Sequence, residues 1–386
     1  MEMRESSQIP LGPEPQYERV VSGYETFHRS EPFRCEWGGE LSELDIAYET
    51  WGELSPQRDN AILLHTGLSA SSHAHSQEKN PHPGWWENFI GPGCVLDTNR
   101  FFIVCSNLLG GCYGSTGPGS ADPKTGLPYA TDFPIITVRD MVRAQILLMD
   151  HLGIDRLHAS IGASLGGMQS PMLAALVPDR VGRFVSISAA ACAYPQSIAM
   201  RFVQRQAVMA DLDWREGRYY GQSFPHRGLR VAREIGTLTY RSGPEWMERF
   251  GRQRVKDEAP RLDEDFQVEG YLAYQGDKFC LQYDPNSYLY ISKAMDLFDM
   301  TDEPAAQANH PADPCARLAD IRCPSLVVGV TTDVLFPVWQ QQELARLLGE
   351  YAESVEYLEI DSPYGHDSFL IEQEKLGQSL SRFLSL

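Results

Sequence analysis

The run G-A-S-L-G at residues 162–166 most constrains what this chain can fold into. An apolar stretch, Leu157 to Ile161, precedes the run, and a stretch of small residues typical of a helix, Gly166 to Leu176, follows it. A G-x-S-x-G run between a strand and a helix is typical of a nucleophile elbow. The glycines lack a Cβ atom, so the backbone can turn sharply enough to present the hydroxyl of Ser164. The following helix directs backbone N–H groups toward the same place, where negative charge can develop.

Candidate partners for this serine lie downstream in the order that an elbow requires. A serine becomes a good nucleophile only beside a base, which a third group must orient, and around an elbow the acid precedes the histidine. The apolar stretch Cys323–Val330 predicts a buried strand, and Asp333 lies just past its end. The alternating stretch Ser354–Ile360 predicts a second strand, which leads into a turn that carries His366. The sequence therefore predicts a catalytic triad of Ser164, Asp333 and His366.

Each member of this triad also has a non-catalytic interpretation. Glycine-rich turns that contain a serine occur in many α/β proteins without acyl chemistry. Asp333 could cap the helix that is predicted to begin near Val338, a common role for aspartate, and His366 could be a surface histidine. The occurrence of all three in the expected order favours the catalytic interpretation.

Composition and charge limit the partners and the compartment. The 386 residues carry a net charge of −19, which argues against nucleic acid or an anionic membrane as a partner. No apolar run approaches the length of a membrane span, and Met1 to Tyr17 has no apolar core of a signal peptide. The eight cysteines have no paired spacing, and several lie in apolar runs, as reduced core residues do. We therefore expect a cytoplasmic enzyme that acts on small molecules.

The order of predicted elements indicates an α/β fold. The helix predicted over Thr137–Leu152 ends at Gly153, a favourable residue for the end of a helix. It alternates with stretches typical of strands, which are Phe33–Trp51, Ala61–Leu64, Phe101–Cys105, Leu157–Ile161 and Arg183–Ile187. Such alternation predicts a mostly parallel sheet with helices on both faces.

Between residues 189 and 318 the alternation stops. This stretch is charged and aromatic, and it contains helix-like segments such as Ile198–Met209 and Pro244–Arg254. It lies just before the strand that leads to Asp333, where this kind of scaffold accepts a helical cap over the site. We therefore expect a core formed by residues 18–188 and 319–386, with a helical cap formed by residues 189–318.

Several longer runs are far more specific than the elbow. They are PGWWEN at 83–88, NLLGGCYGSTGP at 107–118, DFP at 132–134, RDMV at 139–142, GGMQ at 166–169, LTYRS at 238–242, LFP at 335–337 and GHD at 365–367. Through these runs the chain resembles, over most of its length, the homoserine O-acetyltransferases and their serine-acylating relatives. The resemblance implies the α/β-hydrolase fold with a helical cap, and a homodimer formed through that cap.

The resemblance also implies a ping-pong acyl transfer. Ser164 attacks the thioester of an acyl-coenzyme A co-substrate, acetyl-CoA or succinyl-CoA, and the acyl group then passes to the hydroxyl of an amino acid. The family uses no bound cofactor and no metal. In the family, two backbone N–H groups form the oxyanion hole. The resemblance implies that one is the N–H of Leu165 and that the other lies within Thr66–Leu68, for which we take Gly67.

Recognition of the acceptor requires opposite charges. A free amino acid carries a carboxylate and an ammonium, so its pocket needs at least one cation and one anion. The resemblance implies Arg233, on a cap helix, for the carboxylate and Asp367, directly after the catalytic histidine, for the ammonium. Without the resemblance, Arg233 would be interpreted as a solvated helix charge and Asp367 as a loop cap.

One loop departs from the pattern of homoserine-acylating members, which carry His-Ala-Leu-Thr-Gly after the third strand. Here the specificity loop contains Thr66, Gly67, Leu68 and Ser69, and this form resembles relatives that acylate L-serine. We expect L-serine slightly ahead of L-homoserine, although one methylene supplies only about 1–3 kcal/mol of discrimination. The alternatives are an L-homoserine O-acetyltransferase, an esterase or thioesterase of the same fold, and a binding protein without activity.

A pair of histidines, His73 and His75, follows the same loop. A His-x-His pair can bind a metal ion, but the sequence offers no third ligand nearby. We therefore predict a polar loop and no metal site.

Overall fold

The computed structural model of the chain describes residues 22–256, 258–260, 262, 265–301 and 317–385. Within them, a central sheet has eight strands in the order β1-β4-β8-β5-β9-β10-β11-β12. The amino-terminal segment Met1–Tyr17, residues 18–21 of the predicted core and residues 302–316 of the predicted cap lie outside the described residues.

The strands are β1 Glu25–Arg29, β2 Phe33–Arg34, β3 Glu40–Leu41, β4 Leu44–Trp51, β5 Ala61–His65, β6 Ile90–Gly91, β7 Leu96–Asp97, β8 Phe102–Ser106, β9 Leu157–Ala163, β10 Phe184–Ile187, β11 Ser325–Val330 and β12 Val355–Ile360. The α-helices are α1 Val138–His151, α2 Leu165–Leu176, α3 Pro195–Met209, α4 His226–Tyr240, α5 Gly243–Phe250, α6 Gln267–Cys280, α7 Pro285–Asp296, α8 Val338–Leu348, α9 Ser368–Ile371 and α10 Gln373–Ser385.

The sheet is mostly parallel, as predicted. Strand β4 pairs antiparallel with β1 and with β8, whereas the remaining pairs, from β8 through β5 to β12, are parallel. Strand β1 has no counterpart among the predictions, because at the edge of the sheet only its central residue Phe27 is buried. Its charged and polar neighbours therefore hide the alternation that identifies a strand.

Both faces of the sheet are covered, which explains the continuous apolar character of its central strands. In β5, Leu63 packs in a core with residues of α1 and α2, while Ile62 and Leu64 belong to a second core on the opposite face. The second core is closed by apolar residues of α10 such as Leu380. All five residues of β5 are buried, so the strand holds the loop that follows it in a fixed position.

Local signals place most helix ends within a few residues of the prediction. Helix α1 begins with a capping box between Thr137 and Asp140 and ends before Gly153, whose φ of +65° suits glycine. Helix α5 is shorter than the predicted Pro244–Arg254. It ends at Phe250, because Gly251 adopts a left-handed φ of +52° and directs the chain out of the helix.

Helices α3 to α7 follow one another between β10 and β11. Helix α4 packs against both α3 and α6, and it also contacts the short 3-10 helix Gly365–Asp367 that carries the predicted histidine. This contact brings side chains of α4 close to the carboxyl ends of the parallel strands. None of the described helices is long and apolar enough to cross a membrane.

Candidate active site

The elbow at Ser164 joins the end of β9 to the start of α2 through a strained backbone. Ser164 has φ +58° and ψ −122°, a conformation that non-glycine residues adopt rarely and at a cost of about 1–3 kcal/mol. The turn is so tight that a Cβ atom on Gly162 would lie 2.1 Å from the carbonyl oxygen of Gly166. A Cβ atom on Gly166 would lie 2.5 Å from the carbonyl oxygen of His65, so both glycines are required sterically.

His366 and Asp333 form a buried pair beside this elbow. The Nδ1 atom of His366 lies 2.7 Å from Oδ2 of Asp333, and both residues are 3% exposed. The other carboxylate oxygen, Oδ1, accepts the backbone N–H groups of Leu335 and Phe336 at 2.9 Å each. These contacts fix the carboxylate, and helix α8 is instead preceded by Pro337, so Asp333 does not cap it.

The environment of His366 favours its protonated form. Burial lowers its pKa, but the charge of Asp333 and the hydrogen bond to that carboxylate outweigh burial, so the pKa is raised above 6.5. Because its pKa is raised, the neutral imidazole of His366 is a stronger base than a free imidazole. Ser164 and His366 line one cavity without a direct hydrogen bond in the described part of the chain, a spacing common before substrate binds.

The two predicted oxyanion donors are available. Leu165 is the first residue of α2, and no described residue accepts its backbone N–H, as is usual at the start of a helix. Gly67 lines the cavity, and a Cβ atom at Gly67 would lie 4.0 Å from the carbonyl oxygen of Ala163, next to the serine. The N–H of Gly67 likewise has no acceptor among the described residues.

A buried amide network holds the start of the specificity loop. The Nε2 atom of Gln169, in α2, donates to the carbonyl oxygen of Thr66 at 3.1 Å. Gln145 of α1 in turn donates to Oε1 of Gln169 at 2.9 Å. Because both amides are almost fully buried, these bonds form away from competing water and tie the loop to the helix that follows the elbow.

The predicted site residues converge on one cavity of about 220 Å³. It is lined by Leu64, His65, Gly67, Leu68, Ser69, Ala70, Trp85, Trp86, Ala163, Ser164, Arg233, Tyr240, His366, Asp367, Phe369 and Leu370. The fold thus brings together the elbow, the specificity loop, helix α4 of the predicted cap and the loop that carries the histidine. Thr66, Leu165 and Asp333 do not line the cavity, but Thr66 and Leu165 adjoin Gly67 and Ser164 in the chain, and Asp333 contacts His366.

Arg233 presents its guanidinium to the cavity without a fixed partner. Its Cζ atom lies 4.6 Å from the ring centroid of Phe279 and 5.2 Å from that of Tyr240, so two aromatic rings hold the group by cation–π contacts. The buried Nε atom has no hydrogen-bond partner, and no described acidic residue forms an ion pair with this arginine. The cation is therefore oriented and free to bind an anion.

Asp367 lines the same cavity and has Arg241 as a counter-ion. Its Oδ2 atom is 3.4 Å from a guanidinium nitrogen of Arg241, which also binds Glu245. Burial raises the pKa of the Asp367 carboxyl above its usual value, and the positive charges of Arg241, His366 and Arg233 only partly offset that rise. The cavity therefore contains one cation and one acid that nearby arginines help to keep ionised.

The histidine pair after the loop is engaged in structural hydrogen bonds. His73 Nδ1 lies 3.0 Å from buried Glu49, and its Nε2 lies 2.7 Å from the carbonyl oxygen of His82. His75 Nδ1 lies 3.0 Å from the carbonyl oxygen of Glu87. No group of three His, Cys, Asp or Glu side chains suited to a metal ion occurs in the residues that the structure describes.

Several residues of the site were not predicted as functional. Tyr240 lies two helical turns after Arg233 on α4, and this seven-residue spacing could have placed both on one face of the helix. Trp85 and Trp86 belong to a run that the sequence singled out, but the sequence alone gave no sign that they line the cavity. Arg241 likewise lies in such a run, and only its contact with Asp367 indicates a role.

Comparison with known proteins identifies the fold and the family. A family model described as the alpha/beta hydrolase fold matches residues 60–373. The serine O-succinyltransferase of Emericella nidulans is 48% identical, over 97% of this chain and 83% of the relative. The homoserine O-acetyltransferase of Moorella thermoacetica is 46% identical, over 92% of this chain and 94% of the relative.

Solved structures give the same picture. The homoserine O-acetyltransferase of Bacillus anthracis superposes with a TM-score of 0.82 and 26% identity, over 95% of this chain and 98% of the other. Esterase E22 superposes with a TM-score of 0.83 and 26% identity, over 94% of this chain and 100% of the other. The chain therefore belongs to the α/β-hydrolase fold family and, within it, to the family of the homoserine O-acetyltransferases and serine O-succinyltransferases.

Proposed function

We propose that the chain is an amino-acid O-acyltransferase that moves an acyl group from acyl-CoA to the side-chain hydroxyl of L-serine or L-homoserine. One observation supports this function independently of family membership. The cavity that holds Ser164 and His366 also presents the unpaired guanidinium of Arg233 and the carboxylate of Asp367. Two opposite charges suit a zwitterionic amino acid, whereas a simple ester would leave both unused.

In the first half-reaction, His366 takes the proton of Ser164 while Oγ attacks the thioester carbonyl. The oxyanion that forms accepts hydrogen bonds from the N–H groups of Leu165 and Gly67, each of which is worth several kcal/mol in such sites. When the intermediate collapses, the C–S bond breaks and the proton on His366 passes to the sulfur of coenzyme A. The product is an ester of Ser164, and Asp333 stabilises the imidazolium that forms in between.

In the second half-reaction, the acceptor replaces coenzyme A. Arg233 binds its carboxylate and Asp367 its ammonium, so the side-chain hydroxyl faces the acyl-enzyme. His366 takes the hydroxyl proton as the oxygen attacks the ester carbonyl, and it then returns that proton to Oγ of Ser164 as the acyl group leaves. Both half-reactions use the same base and the same oxyanion donors.

Within this class we propose L-serine as the acceptor and succinyl-CoA as the donor, with L-homoserine O-acetylation as the alternative. The specificity loop has the form that suggested serine, and relatives from Emericella nidulans and Schizosaccharomyces pombe that are named serine O-succinyltransferase are each 48% identical. The family also includes homoserine O-acetyltransferases that are 42–46% identical, so the assay must compare both acceptors and both donors. The product would serve the synthesis of a sulfur-containing amino acid.

The decisive experiment measures acyl transfer to L-serine and L-homoserine, each with acetyl-CoA and succinyl-CoA. We expect the highest kcat/KM for L-serine with succinyl-CoA, and a mass increase of one acyl group on the protein when the acceptor is omitted. Ser164→Ala, the matched control, should show neither. Hydrolysis of acyl-CoA without transfer to any of these acceptors would refute the proposal.

Hydrolysis of simple esters is the second candidate function. Structures named as esterases superpose on this chain as well as the acyltransferases do, with a TM-score of 0.83 for esterase E22. Water would then replace the amino acid in the second half-reaction. A kcat/KM for p-nitrophenyl acetate hydrolysis above that for amino-acid acylation would favour this candidate.

We also propose a homodimer that forms through the predicted cap, in the cytoplasm. Five large apolar side chains on α3, α4 and α6 are 43–61% exposed, and they are Phe202, Val203, Val231, Leu238 and Tyr274. Exposed apolar side chains on neighbouring helices often mark an interface between protein chains. Light scattering gives the mass in solution, and a monomer at micromolar concentration would contradict the dimer.

A further inference from the structure

The tip of the specificity loop, Gly67–Ala70, lines the cavity but is held by few contacts. On either side the backbone is fixed, since the carbonyl oxygen of Thr66 accepts from Gln169 and that of Ser71 accepts from the indole N–H of Trp85. Among the residues that the structure describes, the four tip residues take part in a single hydrogen bond. The hydroxyl of Tyr283 donates it to the carbonyl oxygen of Leu68, at 2.6 Å.

Tyr283 is well placed to fix that carbonyl. It lies between α6 and α7, is 1% exposed and stacks on Phe279 with ring centroids 5.0 Å apart at 14°. The next residue, Asp284, caps α7 and accepts hydrogen bonds from the hydroxyls of Tyr219 and Tyr220. Burial raises the pKa of the Tyr283 hydroxyl, so the group remains a donor over the whole working pH range.

The same aromatic stack reaches the acceptor side of the cavity. The guanidinium of Arg233 lies 4.6 Å from the ring centroid of Phe279, the ring on which Tyr283 stacks. Side chains of α4 and α6 are thereby connected to the backbone of the loop that carries Gly67. A shift of the loop tip and a shift of the bound acceptor would act on the same set of rings.

We propose that Tyr283 is a positioning residue, whose hydroxyl holds Leu68 so that the adjacent Gly67 N–H faces the oxyanion formed at Ser164. The inference rests on the proposed roles of Gly67 and Ser164 in acyl transfer. Its physical basis is that an oxyanion donor contributes only when it is held at 2.7–3.1 Å from the developing charge. Gln169 holds the peptide that joins Thr66 to Gly67 on one side, and the bond from Tyr283 is the one described hydrogen bond that holds the tip on the other side of Gly67.

The test compares Tyr283→Phe with Tyr290→Phe. Each change removes one hydroxyl and keeps the ring. Each of the two hydroxyls donates to a backbone carbonyl oxygen, and the hydroxyl of Tyr290 donates to that of Thr131 at 3.2 Å. Only Tyr283 reaches the loop. The measurement is the burst of p-nitrophenol from p-nitrophenyl acetate, which needs the nucleophile and the oxyanion hole but no amino acid. The burst with acyl-CoA is recorded in parallel.

We expect Tyr283→Phe to slow the burst by about 10- to 100-fold with little change in KM, because a misplaced donor loses most of its effect in the transition state. Tyr290→Phe should stay within about twofold of the wild-type rate. Equal rates for the two variants would overturn the inference. If the burst depends on Tyr283 but the protein transfers no acyl group to amino acids, the proposed function is refuted and the role of Tyr283 stands.

Hydrogen exchange separates positioning from general stability. In Tyr283→Phe, peptides that cover Thr66–Ser72 should exchange faster, while peptides from α1 and β9 should keep their protection. Increased exchange throughout the chain, or a failure of the variant to fold, would instead identify Tyr283 as a residue of the structural core and overturn the inference. A wild-type protein without any burst would overturn it together with the proposed nucleophile.

Discussion

Replacement of Arg233 by alanine tests the proposed acceptor site most directly. The guanidinium lies between the rings of Phe279 and Tyr240 and has no ion-pair partner among the described residues, so its charge is available to a ligand. Removal of one partner of a desolvated charge pair costs about 2–5 kcal/mol. Because Arg233 is only partly buried, we take the lower part of this range, about 2–3 kcal/mol. At 1.4 kcal/mol per factor of ten, kcat/KM for the acceptor should fall about 30- to 150-fold.

The loss should appear in one half-reaction only. Acyl-enzyme formation does not involve the acceptor, so the burst with acyl-CoA alone should survive in Arg233→Ala. Arg233→Lys should give an intermediate loss, because an ammonium keeps the charge but not the two-pronged geometry of the guanidinium. The assay therefore measures the burst and the acceptor saturation curve separately.

Arg249→Ala is the matched control. Arg249 also lies over two aromatic rings, those of Phe250 and Tyr271, at 5.1 Å and 4.3 Å, but it does not line the cavity. Its removal deletes the same kind of cation–π contacts, so the acceptor KM should remain at the wild-type value. Loss of the burst in Arg233→Ala, or an equal rise of KM in Arg249→Ala, would refute the assignment.

Three further results are expected. Asp333→Asn should lower kcat about 10⁴-fold in the steady-state assay, because the imidazole is then held in the wrong tautomer. A loss below tenfold would assign the orienting role to another carboxylate. In the wild type, the acylation rate should fall as the pH decreases, because protonated His366 is no base. The raised pKa of His366 places the pH of half-maximal rate above 6.5, and a value below 6.5 would contradict this. Replacing Thr66–Ser69 with Ala-Leu-Thr-Gly should shift the serine-to-homoserine ratio of kcat/KM toward homoserine by about 10- to 200-fold, and an unchanged ratio would place the determinant in the helices of the cap.

Much of the architecture could be predicted because its signals are local. Buried strands such as β5 and β11 are continuous apolar runs, and helix α1 carries its own capping box and a terminal glycine. The exposed edge strand β1 has no such run, and Gly251 ends α5 earlier than the apolar spacing suggests. Where burial or backbone conformation depends on distant neighbours, a local pattern is not sufficient.

The sequence by itself determined the elbow and the order of the triad candidates. Gly162 is required by sterics within five residues, since a Cβ atom there would meet Gly166, and a parallel sheet places the ends of its strands at one edge, which brings Asp333 and His366 toward Ser164. These relations depend on chain order and on backbone geometry. Both of these can be derived from a sequence without side-chain coordinates.

Only the tertiary structure decided which charges and hydroxyls serve the cavity. The family resemblance pointed to Arg233, one of 33 basic residues, but only the structure shows that aromatic rings support its guanidinium and that no described acidic residue pairs with it. The hydroxyl of Tyr283 meets the carbonyl of Leu68 across 215 positions of the sequence. No periodicity or motif connects residues so far apart, because their contact results from the packing of the helices between β10 and β11 onto the sheet.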